Sequence, residues 1–450
     1  MSVSEPIISV SGLRGIVGDS LTPEVAIRYV SAFAQTLPPG RPVLISRDGR
    51  GTGRMLAQAV ASGLEAVGRD TIDAGVAATP TTGVLVRTLL AAGGVQISAS
   101  HNPAEYNGLK LFSAAGRVIP AAEGEQVLRS YRAGKVDWAR HDQIGHAISC
   151  GDAISPHCAL VLATVDVERI KRRKFRVLLD SNHGAGSLLG RRLLDDLGCQ
   201  LTVLGEHPDG QFAHTPEPTA ENLASVLTRV STLGADIGFC QDPDADRLAI
   251  IDETGRYIGE EYTLALCADH VLRSRPGPVV TNCSTSRMTE DLAAKYDVPF
   301  YRSAVGEANV VDMINRHNAV LGGEGNGGVI DPRVVLVRDS FVSMALVLDA
   351  MAAREEKVSR LADELPRYEI VKTKISLSPE KIAAGLAALK KHFADATSNS
   401  MDGLRLDWPG RWLLVRASNT EPIVRAIAEA PTTAEAKRLC DDAAHVLRGI

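Results

Sequence analysis

Short aliphatic runs alternate along this chain with segments of helical spacing. The runs include Val43-Leu44-Ile45-Ser46, Val95-Gln96-Ile97-Ser98, Phe175 to Asp180, Ile237 to Cys240, Leu248 to Asp252 and Val279-Val280. Between them lie Gly53 to Val67, with Met55, Leu56, Ala59, Val60, Leu64 and Val67 expected on one side, then Ser187 to Leu197 and Phe341 to Ala353. Apolar strands alternating with helices predict α/β units with mainly parallel sheets. A chain of 450 residues holds about three such units at roughly 150 residues each, with two to four in range. Breaks are expected in the polar stretch Gly134 to Pro156, at the turn Glu253-Thr254-Gly255-Arg256, and near Pro366. The last ~80 residues read as a smaller β-plus-α unit ending in a helix from Thr433 to Leu447.

Composition removes several functions. Lys+Arg 49 against Asp+Glu 54 gives a net charge of −5, where a broad nucleic-acid surface would need a basic excess. Aromatics at 4% leave little for stacking single strands. No apolar run reaches membrane-spanning length. The seven cysteines form no CxxC pair, and residues 1–18 lack a basic-then-apolar leader, so reduced thiols in a cytoplasmic protein are expected.

Four segments carry chemistry. In the first, a strand runs into Ser98-Ala99-Ser100-His101-Asn102-Pro103, followed by Asn107-Gly108-Leu109-Lys110. Pro103 disfavours an earlier helix start, so Ser100 is displayed at a strand's carboxyl end, where open α/β sheets bind ligands. His101 could move a proton, and Lys110 could offer a cation or act as acid or base. An ordinary βα loop with an Asx-turn is the plain alternative. In the second, Asp242, Asp244 and Asp246 stand at i, i+2 and i+4 after a strand. Such proximity costs a fraction of a kcal/mol per pair even at a dielectric of about 80, and a cation relieves it. Hard carboxylate oxygens suit Mg²⁺. A solvated acidic turn is the plain alternative. An EF-hand fails, because its glycine position holds Arg247 and Leu248 to Ile251 is strand-like.

The third segment, Gly322-Gly323-Glu324-Gly325-Asn326-Gly327-Gly328, surrounds two hydrogen-bonding side chains with glycines and allows close ligand approach; a flexible hairpin turn would look the same. The fourth, Arg416-Ala417-Ser418-Asn419-Thr420-Glu421-Pro422 with Arg425, has the make-up of a phosphate cradle or of a capped turn. A competing signal is Gly184-Ala185-Gly186-Ser187-Leu188-Leu189-Gly190 after a strand, with Glu206 some 20 residues on. It nearly matches a dinucleotide fingerprint, with one gap a residue too long, and would make the protein an NAD-dependent dehydrogenase.

Taken in order, the four segments resemble the α-D-phosphohexomutase family. Ser98 to Pro103 is similar to its active-site serine loop, Asp242 to Arg247 to its metal loop, Gly323 to Gly327 to its sugar loop, and Arg416 to Pro422 to its phosphate loop. Lesser matches are Ser11-Gly12-Leu13-Arg14-Gly15, Arg47-Asp48-Gly49-Arg50, Thr79-Pro80-Thr81-Thr82, and Pro216-Glu217-Pro218 with Glu221-Asn222.

The resemblance implies four domains around a cleft: 1–150 with the phosphoserine loop, 151–254 with the metal loop, 255–366 with the sugar loop, and a smaller α+β unit, 367–450, with the phosphate loop. It implies a phosphoryl group on Ser100, one Mg²⁺ held by Ser100, Asp242, Asp244 and Asp246, and exchange of sugar 1- and 6-phosphates through a hexose bisphosphate, which also serves as activator. Arg14 and Arg247 would support the phosphoserine, and His101 or Lys110 would move the proton. Glu324 and Asn326 would hold sugar hydroxyls, and Arg416, Ser418, Asn419, Thr420 and Arg425 the other phosphate. The partner is a small sugar phosphate, with no nucleic acid or membrane, on a monomer or homodimer. Asn326 and Gly328 replace the Ser and His usual in the phosphomannomutase/phosphoglucomutase branch, and a Lys common there is replaced near Ser284. Both changes lean towards the phosphoglucosamine mutase branch, in its archaeal-like form, with phosphomannomutase/phosphoglucomutase as the alternative.

Overall fold

The structure, a computed structural model, describes residues 5–9, 12–417 and 423–450. The first sheet is built from β1 (Ile7–Ser9), β2 (Gly12–Ile16), β3 (Val43–Arg47), β4 (Thr71–Val76), β5 (Gly93–Ile97), β6 (Tyr106–Ser113) and β7 (Ala147–Ser149), in the order β1-β2-β6-β5-β3-β4-β7. The aliphatic runs form its parallel centre, in which β3 pairs with β4 and β5, and β7 extends β4. β6 runs back antiparallel against β5. The helix Gly53–Glu65 covers it through Leu56, Ala59, Val60 and Leu64. Met55, expected on that buried side, is exposed, because its neighbour Leu56 points inward and the next position on the helix turns about 100° away.

The second sheet repeats this plan on a smaller scale. β8 (Arg176–Asp180) lies parallel between β9 (Gln200–Leu204) and β10 (Ile237–Gln241), and β11 (Leu248–Asp252) returns antiparallel against β10. The third sheet does the same. β12 (Val279–Asn282) lies parallel between β13 (Phe300–Ser303) and β14 (Leu321–Glu324), with β15 (Gly328–Ile330) antiparallel to β14. In each of the three units, the chemistry-bearing segment is therefore the turn that joins a parallel strand to its antiparallel partner: β5 to β6, β10 to β11, β14 to β15. The fourth sheet is wholly antiparallel, in the order β16-β20-β19-β18-β17. Its strands are β16 (Glu369–Ser376), β17 (Thr397–Asn399), β18 (Leu404–Trp408), β19 (Arg411–Ala417) and β20 (Ile423–Ala430). The helix Thr433–Arg448, capped by Thr432, packs on it.

One apolar core runs through the first three units and includes Leu44, Val177, Leu264 and Val347. The fourth unit has its own, around Leu389, Leu413, Val424 and Leu439. At the joint of the first three sits His157, fully buried. Its Nδ1 is 2.9 Å from Thr81 Oγ1 in the first unit, and its Nε2 is 2.9 Å from Asp339 Oδ2 in the third. Asp339 also caps the helix Ser340–Arg354 by accepting from the backbone N–H groups of Phe341 and Val342. No helix among the described residues is long and apolar enough to cross a membrane.

Candidate active site

The turns after β5, β10 and β14 meet in one cavity of about 810 Å³, which the fourth unit borders with strand faces. Ser100 stands at the tip of the first turn, buried, with a left-handed φ of 49°. A non-glycine residue held there stores strain that its surroundings must enforce. The enforcing group is Arg50, itself nearly fully buried. Its guanidinium donates to the carbonyls of Ser100 (2.7 Å), Asn102 (2.5 Å), Pro103 (2.6 Å) and Tyr106 (3.0 Å). Asp48 holds Arg50 at 3.1 Å and accepts from Ser98 Oγ at 2.6 Å, and Ser98 Oγ accepts from the Ser100 backbone N–H at 2.9 Å. Phe212 of the second unit stacks on Arg50 at 5.0 Å.

Ser100 Oγ donates to Asp242 Oδ2 at 2.9 Å and lies 3.3 Å from His101 Nδ1. Arg14 reaches the same loop by donating to Asn102 Oδ1 at 2.8 Å. Asp242, Asp244 and Asp246 are fully buried, with candidate ligand oxygens all within 4.8 Å of one another. Ala245, between two of them, is left-handed at φ 55°. Asp242 Oδ1 ties the loop by accepting from the backbone N–H groups of Asp246 and Arg247, both at 3.1 Å. Thr79 Oγ1 donates to Asp244 Oδ2 at 2.5 Å. Lys110 Nζ bridges Asp244 Oδ2 (3.2 Å) and Asp246 Oδ2 (3.1 Å). The other oxygens, Oδ1 of Asp244 and of Asp246, are buried without a hydrogen-bond partner among the described residues. Two orphaned hard oxygens beside a third carboxylate fit a divalent ion such as Mg²⁺.

The electrostatics follow from burial and crowding. Burial, then Asp244 and Asp246, push Asp242 well above the usual carboxylate range. Burial acts the same way on Asp246, but Arg338, Lys110 and Arg247 outweigh it and hold Asp246 ionised. Burial, with Arg247 and Arg14, pushes the His101 imidazole down to about 3. Burial also opposes the charge on Lys110, and Asp244 and Asp246 overcome it, raising its pKa.

Glu324 closes the β14 strand in the third turn. It accepts from Asn282 Nδ2 at 2.7 Å and from the Gly306 N–H at 3.2 Å, and pairs with Arg338 at 2.6 Å. Asn326 lines the cavity with its Oδ1 buried and unpartnered among the described residues. This turn is a packed hairpin: a Cβ on Gly325 would meet the Glu261 carboxylate, and one on Gly327 the Leu248 carbonyl. In the fourth unit, Arg416 and Arg425 stand opposite each other across β19 and β20, and both line the cavity. Arg416 pairs with Asp402 at 3.3 Å. Ser418, Asn419 and Thr420, like Ser11 near the start, lie outside the described residues.

Arg338, Lys372 and Lys374 carry no local sequence signal, unlike the expected Arg247. Arg338 links the β10–β11 and β14–β15 turns by pairing with Asp246 at 2.6 Å as well as with Glu324. Lys372 and Lys374 line the cavity from β16, where Lys374 pairs in register with Arg425. Arg247 lines it beside Ser100, 3.9 Å from Glu217. The dinucleotide reading of Gly184 to Gly190 is corrected. A Cβ on Gly184 would strike Pro243 and one on Gly186 the Gln241 side chain, so these glycines let the metal turn pack closely. Glu206, the supposed ribose acceptor, pairs with Arg191.

Comparison with known proteins agrees with this geometry. The family described as phosphoglucomutase/phosphomannomutase matches in four parts: alpha/beta/alpha domain I over residues 7–136, domain II over 155–255, domain III over 260–368, and the C-terminal domain over 376–446. Such a fold and site define a phosphohexomutase, an isomerase. The chain belongs to the phosphoglucomutase/phosphomannomutase family. It is 40% identical over 437 residues to a phosphoglucomutase/phosphomannomutase of Thermococcus kodakarensis, covering 95% of each chain. It is 32% identical over 458 residues to a phosphoglucosamine/phosphogalactosamine mutase of Sulfurisphaera tokodaii, covering 97% of this chain and 98% of that one. A crystal structure of a phosphoglucomutase/phosphomannomutase family protein from Burkholderia thailandensis is similar with a TM-score of 0.82, at 27% identity and 98% coverage of both chains.

Proposed function

We propose that the chain interconverts the 1- and 6-phosphates of a hexose through a phosphorylated Ser100, with glucosamine phosphate as preferred substrate. The observation that carries this is Ser100 Oγ, 2.9 Å from Asp242, facing one cavity that also holds Glu324, Asn326, Arg416 and Arg425. The phosphoryl group leaves Ser100 as its P–O bond breaks, and a new P–O bond forms to the free sugar hydroxyl. The hydroxyl proton passes to a base at the site, and the freed Ser100 Oγ takes up a proton in its turn. His101, 3.3 Å from Ser100 Oγ, and Lys110, held by Asp244 and Asp246, are the two candidates for moving it. The resulting bisphosphate turns end for end and returns its other phosphate to Ser100. Asp242, Asp244 and Asp246 would hold Mg²⁺, which when bound supplies charge neutralisation at the transferring phosphoryl group. Arg14 and Arg247 stand on the serine side of the cavity, and Arg416 and Arg425 across it, so each end meets a phosphate.

Asn326 and Gly328 in the sugar turn support the glucosamine preference. The 40% identity to a phosphoglucomutase/phosphomannomutase supports a second reading, in which glucose or mannose phosphate is preferred. Turnover of the 1-phosphates of glucosamine, glucose and mannose, primed with a hexose bisphosphate, separates the two. Intact mass of the native protein and of Ser100→Ala tests the mechanism: one added phosphate on the former alone is expected. Full turnover by Ser100→Ala would reject it.

A further inference from the structure

Glu307 opens the helix Glu307–His317 and lines the cavity beside Glu324. Its side chain is 8% exposed, and neither carboxylate oxygen has a hydrogen-bond partner among the described residues. Among the described residues its ion-pair partner is Arg338 Nε at 2.9 Å, and the Lys110 ammonium acts on it from farther off. That guanidinium is already shared with Asp246 and Glu324, each at 2.6 Å. Glu324 differs in being satisfied, since Asn282 and the Gly306 N–H also donate to it. Three carboxylates thus compete for one guanidinium, and Glu307 is the one left short of donors. A buried carboxylate with empty acceptor positions costs free energy until a donor, best a charged one, arrives.

We propose that Glu307 is a specificity-determining substrate contact that pairs with the 2-ammonium group of a hexosamine phosphate held by Glu324. This rests on the mutase reading above and sharpens its substrate. A neutral hexose offers a hydroxyl donor at the same place but no positive charge to pair with the carboxylate. The sugar 2-substituent is therefore read by a helix-borne carboxylate as well as by the hairpin turn.

The test compares kcat/KM for glucosamine 1-phosphate and glucose 1-phosphate in the wild type and in Glu307→Gln, which keeps shape and removes charge. The ratio of the two values is expected to shift towards glucose by about tenfold or more, the scale of one charge-assisted hydrogen bond. An unchanged ratio overturns the proposal, whether both activities fall together or neither moves, and leaves Glu307 a holder of Arg338. Glu307→Asp, which retracts the charge by one methylene, covers the case in which the Gln variant does not fold, and is expected to shift the ratio the same way. Calorimetric binding of glucosamine 6-phosphate and glucose 6-phosphate to Ser100→Ala gives a second readout, in which a Glu307→Gln change must weaken the amino sugar selectively. If the wild-type protein turns over neither sugar phosphate, the mutase reading itself fails, a result distinct from an unchanged ratio.

Discussion

The first three units and the fourth handle charge in opposite ways. The first three share a continuous apolar core and offer the cavity three buried turns, each closing a parallel strand onto an antiparallel one. The fourth has a separate core and presents Lys372, Lys374, Arg416 and Arg425 from the faces of antiparallel strands. Reacting groups need placement to fractions of an ångström, and fused, strained turns supply it. Under the proposed function the fourth unit would grip the far phosphate, a task that needs positive charge more than exact placement, and long side chains on a sheet face suffice.

Substitutions can break that contrast, beginning with the metal turn. Asp244→Asn should lower turnover on the order of 10³-fold, because several kcal/mol of charge stabilisation depend on a bound ion. Calorimetry should show Mg²⁺ affinity falling with it; unchanged Mg²⁺ binding would remove Asp244 from the ligand set. Arg50→Lys touches no substrate, yet it cannot reach four carbonyls at once. It should cost about 10²-fold in kcat with KM nearly constant, the scale of an ångström-sized misplacement. Steady-state kinetics giving a pure KM effect would contradict a positioning role. Arg425→Ala in the fourth unit should do the reverse, raising KM about tenfold with kcat little altered, since it removes one charged hydrogen-bond donor.

The smallest effect concerns Glu261, whose carboxyl burial pushes up to about 8. Its folded pKa lies above the unfolded one, so the folded state binds more protons between about pH 4.5 and 8, and stability falls as pH rises through that window. Denaturant titrations should show that slope flattening in Glu261→Gln, and an unaltered slope would place the titration elsewhere.

Much of this site was legible because its residues cluster along the chain. Ser100 with His101, the three aspartates and the glycine-bracketed Glu324 are each local patterns at a strand end, and strand ends are where such folds react. Arg338 and Glu307 were not legible. Each is an ordinary charged residue near a helix start, and only the tertiary fold brings them against Asp246 and Glu324. Arg50 was visible as a motif but not as a clamp, because its acceptors are backbone carbonyls some fifty residues away. The glycines after β8 gave a competing signal for a related reason: tight packing and phosphate binding both require a missing side chain.

Residues 338 and 339 are consecutive, yet they face opposite duties. Arg338 turns to the cavity, while Asp339 holds His157 where the three units meet. No slack backbone separates the two. The joint between the units and the Asp246–Glu324 bridge in the cavity therefore hang on one peptide bond, as a bolt and its key hang on one shaft.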